Sequence, residues 1–399
     1  MNPRLLFFLI LGIDAFVLFM QTSQLSISYR EALFLQGEPS FFQSLIRFSL
    51  ACLGTNDFAL RLPMIMLHLG STLLLYAVAK EYLSDMNRIW LVLIFVLLPG
   101  IVSSALIVDS AGLLIFGLLL FVYLFRRVSF FVLCLYLFTL SLIESGFLYL
   151  FLGLMLYGMV ERKYALALVN MVFIILSVVL YGLDVHGSPK GYFLDSIGIY
   201  SAIFTPIVFV YIFYVLYRRG LTKEIDAVWF LASSALVVSL ILSFRQKIDV
   251  QHFAPYLVLA LPLAAQTFYN SYRVRLPQFR RKYKAIFVVA LLFLLANSGV
   301  VLFNKYLYRV LERPSEHFAY KMHIAKELAD ALHERGIDCV QTKKSMGLRL
   351  EFYGISKCNE FVLEEVDARE NNGRDVTISY INKPIKFYSV TKVNNFTIR

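Results

Sequence analysis

Apolar stretches of roughly 17 to 25 residues, each long enough to cross a bilayer, recur through the first three quarters of this 399-residue chain. In hydrocarbon the backbone polar groups have no water to bind, so each such run reads as a helix. By this length criterion there are about eleven, centred near Ile13, Leu73, Phe95, Gly117, Leu137, Leu152, Phe173, Val208, Ala235, Leu259 and Phe293. The composition agrees: 59% of residues are hydrophobic and 16% charged, against roughly 45–50% and about 25% in soluble domains. The sequence is that of an integral membrane protein. Its first run begins directly after Met1 without a small-residue cleavage site, which reads as a retained helix.

The formal net charge is +11. Nucleic acid is not the partner it implies, because the basic residues sit in short clusters between apolar runs, as topology determinants do. With a cytoplasmic amino terminus, the inner loops carry Lys80 with Arg88, Arg126 with Arg127, Arg162 with Lys163, Arg218 with Arg219 and Lys223, and a run from Arg273 to Lys284. An odd number of spans then puts everything after about Asn304 outside the cytoplasm, as expected of a multi-pass protein of a bacterial inner or cell membrane.

Charged residues are spread through the last part of the chain, which has no spanning stretch. The division is therefore a membrane domain, 1–312, and an extracytoplasmic domain, 313–399. Residues 317–335 have helical apolar spacing (Ala319, Met322, Ala325, Leu328, Leu332) before Gly336. Short strand-like runs at 338–341, 360–363, 376–381 and 385–390 make this a small α/β domain. Cys339 and Cys358 both lie in it, and an oxidising compartment permits a bridge closing a loop of about 20 residues. Cys52 and Cys134 read as buried structural thiols. No metal-ligand spacing is present, so neither a metal nor another cofactor is expected. Asn395-Phe396-Thr397 matches a glycosylation sequon, too short a pattern to carry weight.

The first outer loop, 21–61, is too amphipathic for a linker. From Phe41 onward Phe42, Leu45, Ile46, Phe48 and Leu53 alternate with polar residues at helical spacing, the pattern of a helix lying in the membrane interface.

Three segments carry a family resemblance: Tyr29-Arg30-Glu31-Ala32; Pro39-Ser40-Phe41-Phe42 with Arg47 and Gly54; and Phe58-Ala59-Leu60-Arg61-Leu62-Pro63. Together they resemble the first outer loop of polyprenyl-phosphate-sugar-dependent glycosyltransferases of the GT-C fold, the protein O-mannosyltransferases and lipid A aminoarabinose transferases. Val108-Asp109-Ser110 matches the family's second acidic position, and His252-Phe253-Ala254-Pro255-Tyr256 after Arg245-Gln246-Lys247 is similar to its R-Y-x-x-P segment. The likeness covers most of the first 270 residues and implies an all-α polytopic membrane domain, with a lipid-linked sugar donor and an extracytoplasmic lipid, glycan or protein acceptor.

Two positions depart from the family. Arg30 stands where the first-loop aspartate is expected, leaving Glu31, and Ile143-Glu144-Ser145-Gly146 replaces a T-K-G turn. Transfer from a lipid phosphate needs a carboxylate to take the acceptor's proton and cations to stabilise the departing phosphate. The resemblance thus implies Glu31 and Asp109 as catalytic carboxylates. Arg30, Arg61, Lys190, Arg245, Lys247 and His252 are the candidate ligands for donor phosphate or acceptor. Two rivals stay open. One is a transporter or lipid flippase using the intramembrane Asp14 and Glu144; the other is a catalytically degenerate relative that only binds lipid phosphate, motivated by Arg30. Asp14 also reads as a hydrogen-bond anchor, Glu144 as a snorkelling residue and His68 as span packing.

Overall fold

The computed structural model describes residues 2–37, 39–182, 191–366 and 376–392. In chain order the helices are α1 (Pro3–Thr22), α2 (Tyr29–Gln36), α3 (Phe41–Leu53), α4 (Asp57–Val78), α5 (Asp85–Val96), α6 (Pro99–Leu106), α7 (Ser110–Leu124), α8 (Phe130–Ile143) and α9 (Leu148–Val160). There follow α10 (Tyr164–Tyr181), α11 (Phe193–Phe204), α12 (Pro206–Thr222), α13 (Ala227–Ser243), α14 (Val250–Val258), α15 (Leu261–Val274), α16 (Pro277–Leu302), α17 (Ala325–His333) and α18 (Lys344–Phe352), with strands β1 (Phe361–Val366), β2 (Val376–Tyr380) and β3 (Lys383–Lys392). They form two compact units, one of residues 1–18 and 64–298, the other of 19–63 and 299–399. The expected cut at 312/313 follows the chain, whereas these units are discontinuous, the second taking in the first loop.

In the helical unit, few apolar runs are single helices of full span length. Among the described residues four helices are long and apolar enough to cross a membrane, α1, α4, α10 and α16, and the bent pairs α5–α6 (62°) and α11–α12 (107°) raise this to six. Proline explains the breaks. Pro99 and Pro206 open α6 and α12, and Pro262 lies in the first turn of α15; each lacks the N–H that would continue the preceding helix. The run around Leu259 is thus split between α14 and α15. The runs around Leu137 and Leu152 are α8 and α9, parted at 144–147, and α11 was not foreseen. The protein is a multi-pass membrane protein, and its apolar surface is consistent with lipid contact: on α10, Leu168 and Val179 are 64% and 76% exposed.

Helix α9 packs against α10 and α13, and α7 and α13 pack against α14. Close approach needs small residues: a Cβ on Gly153 would sit 3.0 Å from Leu231 Cα and 2.9 Å from Ser234 Oγ. Leu114, Leu118, Phe151, Leu154, Leu231 and Tyr256 fill the core between these helices.

The second unit has a three-stranded antiparallel sheet in the order β1-β3-β2. Along β2, Val376, Ile378 and Tyr380 are buried while Thr377 and Ser379 are exposed, the two-residue alternation of a sheet with one covered face. Leu328, Leu332, Leu350, Ile355 and Leu363 complete the core. The Cys339–Cys358 bridge is present, with Cα atoms 5.4 Å apart. The helix expected over 317–335 is shorter. It starts only at Ala325, after 3-10 turns at Pro314–Glu316 and Tyr320–Met322, because Ile324 takes a φ of 83° that no α-helix continues through. Helix α18 had no apolar stripe to announce it.

Helix α3 bears out the amphipathic first loop. Ser40 caps it, Phe42 and Ile46 are buried, and Phe41, Phe48 and Leu53 are exposed. Buried Gln43 donates to the carbonyls of Phe34, Leu35 and Gly37, satisfying the carbonyl end of α2. Cys52, expected to be buried, is exposed on this helix, and Cys134 is half-buried.

Candidate active site

The first-loop residues belong to the second unit. Glu31 is 1% exposed. Its Oε2 accepts the Ser28 N–H at 2.7 Å and the Ser28 hydroxyl accepts the Glu31 N–H at 3.3 Å, a reciprocal capping box at the start of α2. Arg30, beside it, is exposed. Arg61 is fully buried, donating to Asp57 Oδ1 at 3.3 Å and to the Ser26 carbonyl at 3.1 Å. It is an internal brace, not an outward cation.

Sequence inspection missed the residues that hold this loop. Arg349, on α18, donates to the Ile27 carbonyl at 2.7 Å, the Ser26 hydroxyl at 3.1 Å and the His323 carbonyl at 2.6 Å. Burial pushes its pKa down from the usual guanidinium value, while Tyr353, Tyr388 and Glu31 favour its charge. Tyr353 accepts the Ile27 N–H at 2.9 Å and donates to Asp57 Oδ1 at 2.7 Å, and Lys326 pairs with Asp57 Oδ2 at 3.2 Å. Burial raises the Tyr353 pKa, and the Asp57 carboxylate raises it further. An Arg inside an otherwise helical LRLEF run was the only local signal.

The remaining candidates lie in the helical unit. Asp109 caps α7, accepting the Ala111 N–H at 3.0 Å, and is half-buried. Glu144 caps the short turn before α9, accepting the Ser145 N–H at 3.1 Å. His252, in the first turn of α14, places Nε2 3.5 Å from Glu144 Oε1 and Nδ1 3.9 Å from Asp249 Oδ2. Gly146 lies where these elements meet: a Cβ there would fall 2.6 Å from Leu114 and 3.1 Å from His252. Tyr256 donates to the Gly146 carbonyl at 2.8 Å, fixing the turn. The second turn of α7 and the first turn of α14 therefore meet beside Gly146. Arg245 and Lys247 are exposed on the turn leading into α14.

The structure thus joins Glu144 to His252, a pairing the sequence did not suggest, while Glu31 and Asp109 belong to different units. Lys190 and the 395–397 sequon lie outside the described residues. Asp14 and His68 pair with each other, Oδ2 to Nε2 at 2.6 Å, with the imidazole stacked on Phe95. That favours the anchoring role for Asp14 over an ion path. Among the described residues no group of three or more metal-ligating side chains occurs.

Such a site combines carboxylates, an imidazole, exposed cations and the N-terminus of α14, which favours anions. The class the fold defines is a multi-pass helical membrane protein with a small α/β unit that also takes in the first loop. The particular solved structure that shares it is ArnT from Cupriavidus metallidurans in the apo state, at 12% sequence identity and a TM-score of 0.54, covering 96% of this chain and 97% of that one. At such identity the likeness is one of fold. No protein-family model and no curated protein sequence matches the chain.

Proposed function

We propose that the chain is a membrane glycosyltransferase moving a sugar from a polyprenyl-phosphate carrier to an extracytoplasmic hydroxyl on a lipid, glycan or protein. The observation that carries this is the fold shared with ArnT along nearly the whole of both chains. In this reading the amino terminus is cytoplasmic and the second unit extracytoplasmic. Asp109, half-exposed at the start of α7, is the base that takes the acceptor's proton. Glu31 supports the first loop instead, since its Oε2 is occupied by the capping bond. Arg245, Lys247 and His252 meet the carrier phosphate together with the N-terminus of α14, and Glu144 orients the imidazole, while Arg30 of the second unit stays a separate candidate phosphate ligand. Lys190 stays a candidate for the same task.

The test is transfer by the purified full chain in lipid nanodiscs, using labelled polyprenyl-phosphate sugars and a cell-envelope extract as acceptor. Label moving to an acceptor supports the reading. Donor binding without transfer across a panel of sugars sinks it and leaves the degenerate lipid-binding relative.

A further inference from the structure

Four helices of the helical unit, α5, α12, α15 and α16, enclose an apolar cleft of about 930 Å³. Its deep end is lined by Ile94, Leu261 and Leu294; Asn87, Tyr272, Tyr283 and Lys284 line the other. Along α16 the lining runs from Lys284 to Leu294, ten residues, or about 15 Å at 1.5 Å per residue. That is half of the roughly 30 Å hydrocarbon core, the depth of a single leaflet.

The polar end is strongly basic. Arg273, Arg275, Arg280, Arg281, Lys282 and Lys284 follow one another from the last turn of α15 through the connection into the first turns of α16, and residues 250–311 contain no Asp or Glu. The guanidinium of Arg275 sits 4.4 Å from the Tyr283 ring centre and Arg280 5.6 Å from that of Tyr272, so cations are held against two rings of the cleft wall. Arg280 also donates to the carbonyls of Arg273 and Arg275, which fixes the connection. On α12, Arg218 donates to Tyr214, another wall residue. Buried Arg219 of α12 donates to Gln266 of α15, and its Nε has no hydrogen-bond partner in the protein.

We propose that this cleft binds one anionic glycerophospholipid from the leaflet bordering the basic end, its acyl chains between α12, α15 and α16 and its phosphate among Lys284, Arg281 and Lys282. The apolar wall selects for chains and the clustered cations select for a negative headgroup. The site is separate from the Gly146 cluster and does not depend on the sugar-transfer reading.

The protein carries its own reporter, because it has two tryptophans and Trp90 lines the cleft, edge-on to Phe287 at 5.6 Å. Trp229, the other, bonds the Leu216 carbonyl outside the cleft lining. The experiment uses the full chain with Trp229→Phe in phosphatidylcholine vesicles containing a minor fraction of acyl-brominated phosphatidylglycerol or acyl-brominated phosphatidylcholine. Trp90 should be quenched far more by the brominated phosphatidylglycerol. Adding Arg281→Gln, Lys282→Gln and Lys284→Gln should lower that headgroup preference by about tenfold or more, since each basic residue near the surface contributes to anionic-lipid attraction. A second variant, Ala265→Phe, fills the cleft without changing charge and should reduce quenching by both lipids. Equal quenching by the two headgroups, or a preference unchanged in the triple variant, overturns the proposal. So does relief of quenching by unbrominated polyprenyl phosphate but not by unbrominated phosphatidylglycerol, which would give the cleft to the carrier lipid.

Discussion

Arg349 donates its Nε proton to the backbone carbonyl of Ile27, 322 positions earlier in the chain, at 2.7 Å. The segment that leads into α2 is thereby anchored by α18, and Glu31 begins its helix with a carboxylate already bonded. The first loop and the tail are one folded unit.

Replacing Arg349 by Met should therefore destabilise that unit by on the order of 3 kcal/mol, because three buried acceptors lose a charged donor. Thermal melts of the purified chain would show a lower first transition. An unchanged melt would mean that the Arg349 bonds do not hold the loop.

Stability of the second unit should also depend on pH. His323 is 1% exposed, with Nδ1 bonded to the Tyr308 hydroxyl at 2.8 Å. Burial first, then the nearby Lys305, His317 and Arg349 charges, lower its pKa from 6.5 to about 3. The folded pKa lies below the unfolded one, so the unfolded chain binds the extra proton. Stability is complete above about pH 6.5 and falls by up to about 1.4 kcal/mol per pH unit between there and about pH 3. His317, lowered by burial as well, acts in the same direction. Denaturant titrations at stepped pH should show this slope, and His323→Gln should flatten it.

Reducing the Cys339–Cys358 bridge, or replacing both residues by Ala, should cost up to about 3 kcal/mol for a closed loop of this length. Nonreducing peptide mapping locates the bridge, and paired melts with and without reductant measure its effect.

Asp109→Asn separates chemistry from capping, since asparagine caps a helix about as well as aspartate. The variant should melt like the parent yet lose on the order of 100-fold in turnover, as removal of a general base typically does. Glu31→Gln should instead lower stability with a smaller loss of turnover. The reverse pattern would return the base to Glu31.

Asp14→Ala should destabilise the helical unit by about 1–3 kcal/mol, by leaving the buried His68 ring nitrogen without its hydrogen-bond partner, while sugar transfer by the surviving folded protein continues. Loss of transfer at full stability would restore a functional role to the pair.

The sequence by itself determined the membrane class, the amphipathic α3, the small α/β tail and the availability of Cys339 and Cys358 for a bridge. These follow from run length, periodicity and spacing, which are local properties of a chain. The resemblance in the first loop led to a mostly helical fold that the solved ArnT structure shares, though not to the number of spans. Only the tertiary structure decided where the charged side chains go. It turned Arg61 inward onto Asp57, bonded Asp14 to His68 across 54 positions, set His252 against Glu144, and made α18 with its buried Arg349 a brace for Ser26 and Ile27. Proline broke apolar runs that read as continuous spans. A buried charge is tolerated only beside its partner, and when that partner comes from a distant part of the chain, no local pattern can name it.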